Sequence, residues 1–322
     1  MQHSMNNLSN KKEQMKRFMH THCRTVFNKI PQQKIYQQPL PMKPILFDVS
    51  LRDGIQGANP LEYTTQKKLD ILKYIHNEHD PPKIEIGSFV SPKVLPIMRD
   101  TVQLFENMQE VLKPEQTPDI YALVPNKTGL LNAVRTGFTN FSFITSVSNA
   151  FQVKNTTKNL LYKKTELQEM MEYITDLSLP CKTKLYISCV NECPIAGLVD
   201  RDFIIYEILS SYGSNIDYNE LCLSDTMGTL KLYDFEYIVD GLIKFGIAPS
   251  RISIHLHINS ENEREAKQIL FACFKRKINK FDVSVILEGG CSVTMKKDKI
   301  KPNMTYEFFY SALEEYQEDI YT

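Results

Sequence analysis

The chain has 322 residues, and its 38 Lys and Arg residues balance 38 Asp and Glu residues, so the formal net charge is zero. This balance gives no reason to expect nucleic acid or an acidic molecule as a partner, and we predict no nucleic-acid binding by the folded domain. The sequence contains no run of about 18 apolar residues, so no membrane partner is predicted.

The first 43 residues are predicted to be a basic, disordered N-terminal extension. Residues 1 to 34 hold seven Lys and Arg residues against one acid, Glu13, and show no strand pattern. A mitochondrial presequence and a nucleic-acid-binding arm are the alternatives. The seven cysteines form no CxxC pair, which is typical of free thiols in a reducing compartment. We predict a cytoplasmic protein, or a mitochondrial matrix protein if the extension is a presequence.

From residue 44 onward, short runs rich in Ile, Val, Phe and Tyr alternate with longer helical stretches. The predicted strands are 45–50, 83–87, 120–124, 141–145, 185–190, 220–225, 252–258 and 282–288. The predicted helices include 64–79, 93–112, 162–178, 229–245, 260–277 and 304–319.

Eight strands that alternate with helices are typical of an α/β fold of the (β/α)8 barrel type, which we predict for residues 44–322 as one catalytic domain. A doubly wound open sheet is the alternative. That fold usually carries a GxGxxG turn after its first strand, and Gly54 and Gly57 do not form one.

Polar side chains gather where the predicted strands end, and the opposite strand ends show no such concentration. Catalytic residues of (β/α)8 barrels lie at the C-terminal ends of the strands, so we predict the active site there. The side chains in question are Arg52 and Asp53 after strand 1, Glu85 in strand 2, Asp225 in strand 6, His255 and His257 in strand 7, and Glu288 in strand 8.

The stretch HLHIN, residues 255–259, places two histidines two positions apart. Residues two apart in a strand point to the same face, so Ser253, His255 and His257 are expected to face the barrel interior together. Two imidazoles on one face can ligate a single cation, and simple packing in the core is the alternative. Carboxylates at neighbouring strand ends favour the metal site.

The stretch DVSLRDGIQ, residues 48–56, offers Asp53 as a hard oxygen ligand next to Arg52, which can stabilise a developing negative charge. Oxygen ligands combined with two imidazoles suit Mg²⁺, Mn²⁺ or Zn²⁺. An ordinary Asp53–Gly54 turn with a structural Arg52 ion pair is the alternative. In EGGC, two glycines before Cys291 predict a mobile loop with an acid/base thiol, or else a simple turn.

Together these motifs resemble the 3-hydroxy-3-methylglutaryl-CoA lyases. Those enzymes belong to a metal-dependent (β/α)8 superfamily shared with isopropylmalate and homocitrate synthases and the pyruvate carboxylase transferase domain. The resemblance covers roughly residues 44 to 315. The segments that carry it are DVSLRDGIQ (48–56), IEIGSFVSPKVLPIM (84–98), LVPNKTG (123–129), ISCVNECPIAG (187–197), LCLSDTMGT (221–229), HLH (255–257) and GGC (289–291).

The resemblance implies a divalent cation, Mg²⁺ or Mn²⁺ with Zn²⁺ as a third candidate, and no organic cofactor. Its implied ligands are Asp53, His255, His257 and Asn303. The implied substrate is 3-hydroxy-3-methylglutaryl-CoA or a similar 3-hydroxyacyl-CoA. Cleavage by a retro-Claisen (retro-aldol) mechanism would give acetyl-CoA and acetoacetate. A homodimer is also expected.

The resemblance also assigns catalytic roles. Arg52 would hold the thioester oxygen and stabilise the enolate, Glu85 and Asp225 would line the site, and Cys291 would take part in proton transfer.

Two alternatives stay open at this stage. The first is a synthase of the same superfamily that condenses acetyl-CoA with a 2-oxoacid, although those enzymes usually carry an acidic residue where Ile55 stands. The second is a non-catalytic barrel that retains a ligand or partner site. It is kept open because Ile258 and Asn259, and the basic segment after Cys291, differ from the lyase pattern.

Overall fold

The computed structural model describes residues 43–112, 117–178, 180–213, 218–288 and 301–321, and it contains a closed barrel of eight parallel strands. Each strand pairs with the next along the chain, and the last pairs with the first, so the predicted (β/α)8 fold is confirmed and the open sheet is wrong. The strands are β1 (Ile45–Asp48), β2 (Lys83–Ser88), β3 (Asp119–Leu123), β4 (Asn140–Ser146), β5 (Thr183–Ser188), β6 (Glu220–Asp225), β7 (Ile252–Leu256) and β8 (Lys280–Val283).

Helices surround the barrel and occupy most of the connections between strands. Within the described ranges they are α1 (Thr65–His79), α2 (Thr101–Asn107), α3 (Lys127–Arg135), α4 (Asn149–Thr156), α5 (Leu160–Asp176), α6 (Arg201–Ile208), α7 (Leu232–Lys244), α8 (Glu263–Lys275) and α9 (Tyr306–Tyr321). None of these helices is long and apolar enough to cross a membrane. The predicted extension lies outside the described residues up to residue 42, and its boundary stays a prediction.

Helix α1 illustrates how local sequence sets an element. The Thr64 side chain accepts a hydrogen bond from the Lys67 backbone amide and caps the first turn. The helix ends at Asp80, which adopts a left-handed conformation with φ of 41°. Leu72 and Ile75, on the apolar face between these ends, are completely buried against the barrel. Capping and helical periodicity therefore agree on both the position of the helix and its orientation.

Two predicted elements are wrong in extent. The stretch 93–112 is not one helix, because Pro96 disfavours helical geometry at Leu95 and starts a separate 3₁₀ turn, Pro96–Met98, ahead of α2. Strand β8 ends at Val283 because the next amides find partners outside the sheet: Ser284 N donates to the Met304 carbonyl. Glu288 is therefore an exposed residue beyond the strand rather than a polar strand end.

The N-terminal half of the barrel interior contains charged side chains, which corrects the expectation that this end is poor in polar groups. Lys184 is buried in an ion pair with Asp282, and its Nζ lies 3.0 Å from Glu220 Oε1. Glu220 also pairs with Lys83, at 2.8 Å, and with Lys280, at 3.7 Å. Four strands contribute one or two of these charges each, so no single stretch of sequence reveals the cluster.

Asp48, at the end of β1, ties helix α9 to the barrel. Its carboxylate accepts hydrogen bonds from the Ser50 amide at 2.8 Å, the Ser50 hydroxyl at 3.0 Å and the Tyr306 hydroxyl at 2.9 Å. Burial raises the pKa of Asp48 to about 6, although these three hydrogen bonds oppose the increase. The folded protein therefore favours a protonated Asp48 more strongly than the unfolded chain does.

We predict that Asp48 makes stability fall as pH rises from about 4 to about 6, because the folded state then loses a proton that the unfolded chain has already released. A shift of about two pKa units corresponds to about 3 kcal/mol. Asp48→Asn should therefore raise the free energy of unfolding more at pH 7.5 than at pH 4.5, as measured by urea denaturation. The exposed Asp70→Asn should show no such difference, and equal effects of Asp48→Asn at both pH values would contradict the assignment.

Candidate metal centre and active site

A π-helical turn after β1, Ser50–Gly54, delivers Arg52 and Asp53 to the C-terminal end of the barrel. All five residues of the turn are buried. Gly54 is required there because a Cβ atom would lie 2.7 Å from Ser284 Oγ, closer than real side chains approach. This tight turn is what keeps Arg52 and Asp53 adjacent and pointed toward the interior.

Strand β7 delivers the two histidines. His255 and His257 lie on the same face, as alternation requires, and both line the same pocket as Asp53. Their Nε2 atoms are 3.4 Å apart and lie 3.7 Å and 3.5 Å, respectively, from Asp53 Oδ2. One ligand atom from each of the three residues can be chosen so that all lie within 4.8 Å of one another, a spacing that a single cation can bridge.

The hydrogen bonds of the histidines leave both Nε2 atoms available as ligands. His257 Nδ1 donates to the Asp225 carbonyl at 3.0 Å, because a carbonyl oxygen can only accept. His255 Nδ1 faces the Asp282 carboxylate at 3.2 Å. With the proton on Nδ1, each neutral ring presents an Nε2 lone pair to the same point, which is the arrangement found in histidine metal sites.

Several buried polar atoms at this point have no hydrogen-bond partner among the described residues, namely Asp53 Oδ2 and both amide atoms of Asn303. Asn303 pairs with His257 in a single antiparallel bridge, so the two side chains share a face with Cβ atoms about 5 Å apart. Buried polar atoms are expensive to leave unpaired. A cation bound between Asp53, the histidines and Asn303 would satisfy them, so the residues fit a metal ion.

Arg52 organises the charge of the site. Its Nη1 donates to Asp53 Oδ1 at 2.5 Å and its Nε donates to Glu85, and its guanidinium lies 5.0 Å from the centre of the Tyr186 ring. Burial raises the pKa of Asp53, but the Arg52 guanidinium beside it opposes this effect, and the pKa of Asp53 lies well below its usual range. Asp53 is therefore ionised, as a metal ligand must be.

Glu85 supports Arg52 instead of lining the pocket as predicted. It is completely buried beneath the site, and its Oε2 also accepts a hydrogen bond from the Tyr186 hydroxyl at 3.4 Å. Its carboxylate fixes the direction of the guanidinium, so its contribution to a reaction would pass through Arg52.

Asp225 does not line the pocket either, and this expectation is corrected. Its carboxylate accepts hydrogen bonds from the backbone amides of Thr229 and Leu230, both at 3.1 Å, and thereby closes the turn after β6. Strand alternation explains the placement, because the preceding residue, Ser224, is the one that faces the pocket. Asp225 acts on the site through its backbone carbonyl, which orients His257.

The connection after β6 packs directly against the end of HLHIN. Gly228 has a φ of 63°, and a Cβ atom there would lie 2.7 Å from the His257 carbonyl. The Asn262 side chain donates to the carbonyls of both Gly228 and His257 at 2.8 Å. Ile258 N donates to the Pro302 carbonyl at 2.7 Å and so anchors the segment that carries Asn303.

Cys291 lies outside the described residues, and its predicted role stays a prediction.

Asp53, His255 and His257, together with Arg52, line a cavity of about 280 Å³, close to the lower limit of typical small-molecule sites. Polar groups lie at its base and apolar side chains form much of its wall. It extends outward to Asn155–Lys158, between α4 and α5. The apolar wall residues include Val90, Leu95, Leu123, Ile144 and Phe151.

The sequence did not predict Asp282, which contacts His255, or Tyr186, which contacts Glu85. A signal for Asp282 was present, because it is the first residue of the predicted strand 282–288, which is otherwise rich in Val and Ile. A carboxylate in a barrel strand requires a buried partner. Tyr186 gave no such signal, since aromatic residues are common in strands for packing alone.

A family model described as HMGL-like matches residues 43–261. The chain belongs to the HMGL-like family. The matched region contains strands β1 to β7 with Arg52, Asp53 and both histidines, and it ends before β8 and Asn303. The resemblance inferred from the sequence motifs is therefore confirmed at the level of the family.

Individual relatives agree with this assignment. The chain is 28% identical to the hydroxymethylglutaryl-CoA lyase YngG of Bacillus subtilis over 255 residues, covering 79% of this chain and 80% of that protein. It is 27% identical to the 3-hydroxy-3-isohexenylglutaryl-CoA/hydroxymethylglutaryl-CoA lyase of Pseudomonas aeruginosa over 254 residues, covering 78% and 79%. An HMG-CoA lyase structure from Acinetobacter baumannii superposes with a TM-score of 0.73 at 22% identity, covering 87% and 86% of the two chains.

We predict that His257→Gln weakens Mn²⁺ binding to the metal-free protein by at least about 100-fold, because it removes a ligand rather than a supporting contact. Titration followed by electron paramagnetic resonance of free Mn²⁺ measures this. His79→Gln is the matched control, since it removes an imidazole that stacks on Tyr306 at 3.9 Å and is not one of the clustered ligands. Equal affinities of the two variants would count against the site.

Proposed function

We propose that this protein is a divalent-metal-dependent carbon–carbon lyase that cleaves 3-hydroxy-3-methylglutaryl-CoA, or a similar 3-hydroxyacyl-CoA. The observation that carries the proposal is the convergence of Asp53, His255 and His257 on one point beside Arg52. Mg²⁺ or Mn²⁺ is proposed, with Zn²⁺ as a further candidate, since imidazole and hard oxygen ligands suit these ions.

The relatives support the substrate class. Two proteins that resemble this chain along about four fifths of their length are hydroxymethylglutaryl-CoA lyases by name. The Acinetobacter baumannii lyase structure contains coenzyme A and 3-methylmalate. An acyl-CoA with a tertiary hydroxyl is therefore the proposed substrate, and no organic cofactor is required. A homodimer and a cytoplasmic location are proposed by analogy with the lyases.

The proposed reaction breaks the bond between C2 and C3 of the acyl group. Transfer of the hydroxyl proton to a base lets the C3–O bond become a carbonyl, which releases acetoacetate. The electron pair of the broken bond passes to C2 and forms the enolate of acetyl-CoA, which then takes up a proton at C2. A bound divalent cation would lower the pKa of the tertiary hydroxyl and make its proton easier to remove.

Arg52 is proposed to stabilise the enolate. It is buried and lines the cavity, so its charge acts where solvent screening is weak. Glu85 accepts a hydrogen bond from the guanidinium and the Tyr186 ring lies 5.0 Å from it, so the guanidinium need not reorient as charge develops on the thioester oxygen. Cys291 is proposed as the group that returns the proton to C2.

The condensing synthases of the superfamily are not favoured. Ile55, where those enzymes usually carry an acidic residue, is completely buried in an apolar cluster with Tyr63, Leu95, Ile97 and Met98. An ionised side chain at this position would lack a partner in that cluster. The packing around Ile55 therefore fits the lyase proposal better than the synthase.

The direct test is incubation of the Mn²⁺-loaded protein with 3-hydroxy-3-methylglutaryl-CoA and analysis of the products by mass spectrometry. Acetyl-CoA and acetoacetate in equal amounts would support the proposal. A protein that binds Mn²⁺ but leaves this substrate and longer 3-hydroxy-3-alkylglutaryl-CoA esters intact would contradict it and favour a non-catalytic barrel.

We predict that Arg52→Lys lowers kcat by about 100-fold, because a single ammonium cannot hold Asp53 and Glu85 while also facing the enolate oxygen. The coupled assay for acetoacetate measures the rate. Arg276→Lys is the matched control, because Arg276 pairs with Asp240 at 2.7 Å and does not line the cavity. A kcat for Arg52→Lys within about threefold of the control would refute the role of Arg52.

A further inference from the structure

The side chain that orients His255 is itself oriented by a buried lysine. Asp282 uses its two carboxylate oxygens for different partners: Oδ2 faces His255 Nδ1 at 3.2 Å, and Oδ1 pairs with Lys184 Nζ. Both Asp282 and Lys184 are at least 98% buried. Lys184 Nζ also lies 4.0 Å from the centre of the Phe47 ring, which restricts the ammonium to this side of the barrel.

We propose that Lys184 and Asp282 act together as positioning residues that keep the proton of His255 on Nδ1, so that Nε2 stays available to the metal ion. This inference rests on the proposed metal-dependent function and adds residues to it. The two side chains come from β5 and β8, on either side of β6 and β7, so the barrel itself sets their spacing.

The chemistry of the two partners explains why a carboxylate is needed at position 282. An ammonium group only donates hydrogen bonds, so the atom facing Lys184 must be an acceptor. A carboxylate has two acceptor oxygens, so it can satisfy Lys184 and still accept the Nδ1 proton of His255. An ionised carboxylate has no proton to donate, so the imidazole must be the donor in this contact.

An asparagine at position 282 should therefore reverse the tautomer. Its carbonyl oxygen would turn toward the Lys184 ammonium, because the opposite orientation sets two donors against each other in a buried site. The amide nitrogen would then face His255 Nδ1 and donate to it. His255 would carry its proton on Nε2, where the metal ion should bind.

The lysine makes this effect reversible by a second substitution. When Lys184→Met is added to Asp282→Asn, the amide no longer faces a cation and can turn its oxygen back toward His255. Glu220 would keep Lys83, at 2.8 Å, and Lys280, at 3.7 Å, as its partners, so the double variant does not leave the Glu220 carboxylate without a cation. A substitution at a residue that does not touch the histidine would thus restore the tautomer.

The experiment compares Mn²⁺ binding by the metal-free wild type, Asp282→Asn and the double variant Lys184→Met/Asp282→Asn. We expect Asp282→Asn to bind about 10- to 100-fold more weakly than the wild type, and the double variant to regain about tenfold. Wild-type affinity in Asp282→Asn, or a double variant that binds no better than Asp282→Asn, would overturn the proposal. Circular dichroism checks that each variant is folded.

A second measurement does not depend on metal binding or on the substitutions at positions 184 and 282. Nitrogen-15 NMR of histidine-labelled, metal-free wild type, assigned with His255→Gln, reports which ring nitrogen of His255 carries the proton. A proton on Nδ1 is expected, and a proton on Nε2 alone would overturn the inference. If the wild type fails to bind Mn²⁺, the proposed function fails while this spectrum still tests the orientation of His255.

Discussion

The site depends on how the negative charge of Asp53 is held inside the barrel. A buried carboxylate is costly unless opposite charge and hydrogen bonds compensate it. Arg52 compensates one oxygen of Asp53, and a cation bound at the Nε2 atoms of His255 and His257 would compensate the other. The rest of the local structure, from the π-helical turn to the carbonyl and carboxylate behind the histidines, maintains that arrangement.

The sequence predicted the features that depend on local pattern. Alternation put His255 and His257 on one face, and motif order placed Asp53 and Arg52 at the same end of the barrel. Local pattern does not determine which atom of a residue reaches the site. Asp225 was expected in the pocket because it ends a strand, but the turn after β6 supplies two backbone amides that its carboxylate satisfies.

The charged interior was harder to predict because it is distributed over distant segments. Lys184, Glu220 and Asp282 come from three different strands, and only closure of the barrel brings them together. Asp282 contacts His255, and Lys184 pairs with Asp282. The side chains that hold His255 in place therefore extend into the N-terminal half of the barrel. Because the positive and negative side chains come from different strands that meet inside the barrel, each buried charge of this cluster has a partner of opposite sign.

The central claim is that Asp53, His255, His257 and Asn303 hold one divalent cation. Anomalous diffraction from crystals grown with Mn²⁺ tests it most directly, because the signal locates the ion without reference to activity. We expect the strongest anomalous peak between Asp53 Oδ2 and the Nε2 atoms of His255 and His257, with the Asn303 side chain turned toward it. A peak elsewhere, or none at this position in Mn²⁺-saturated crystals, would contradict the account.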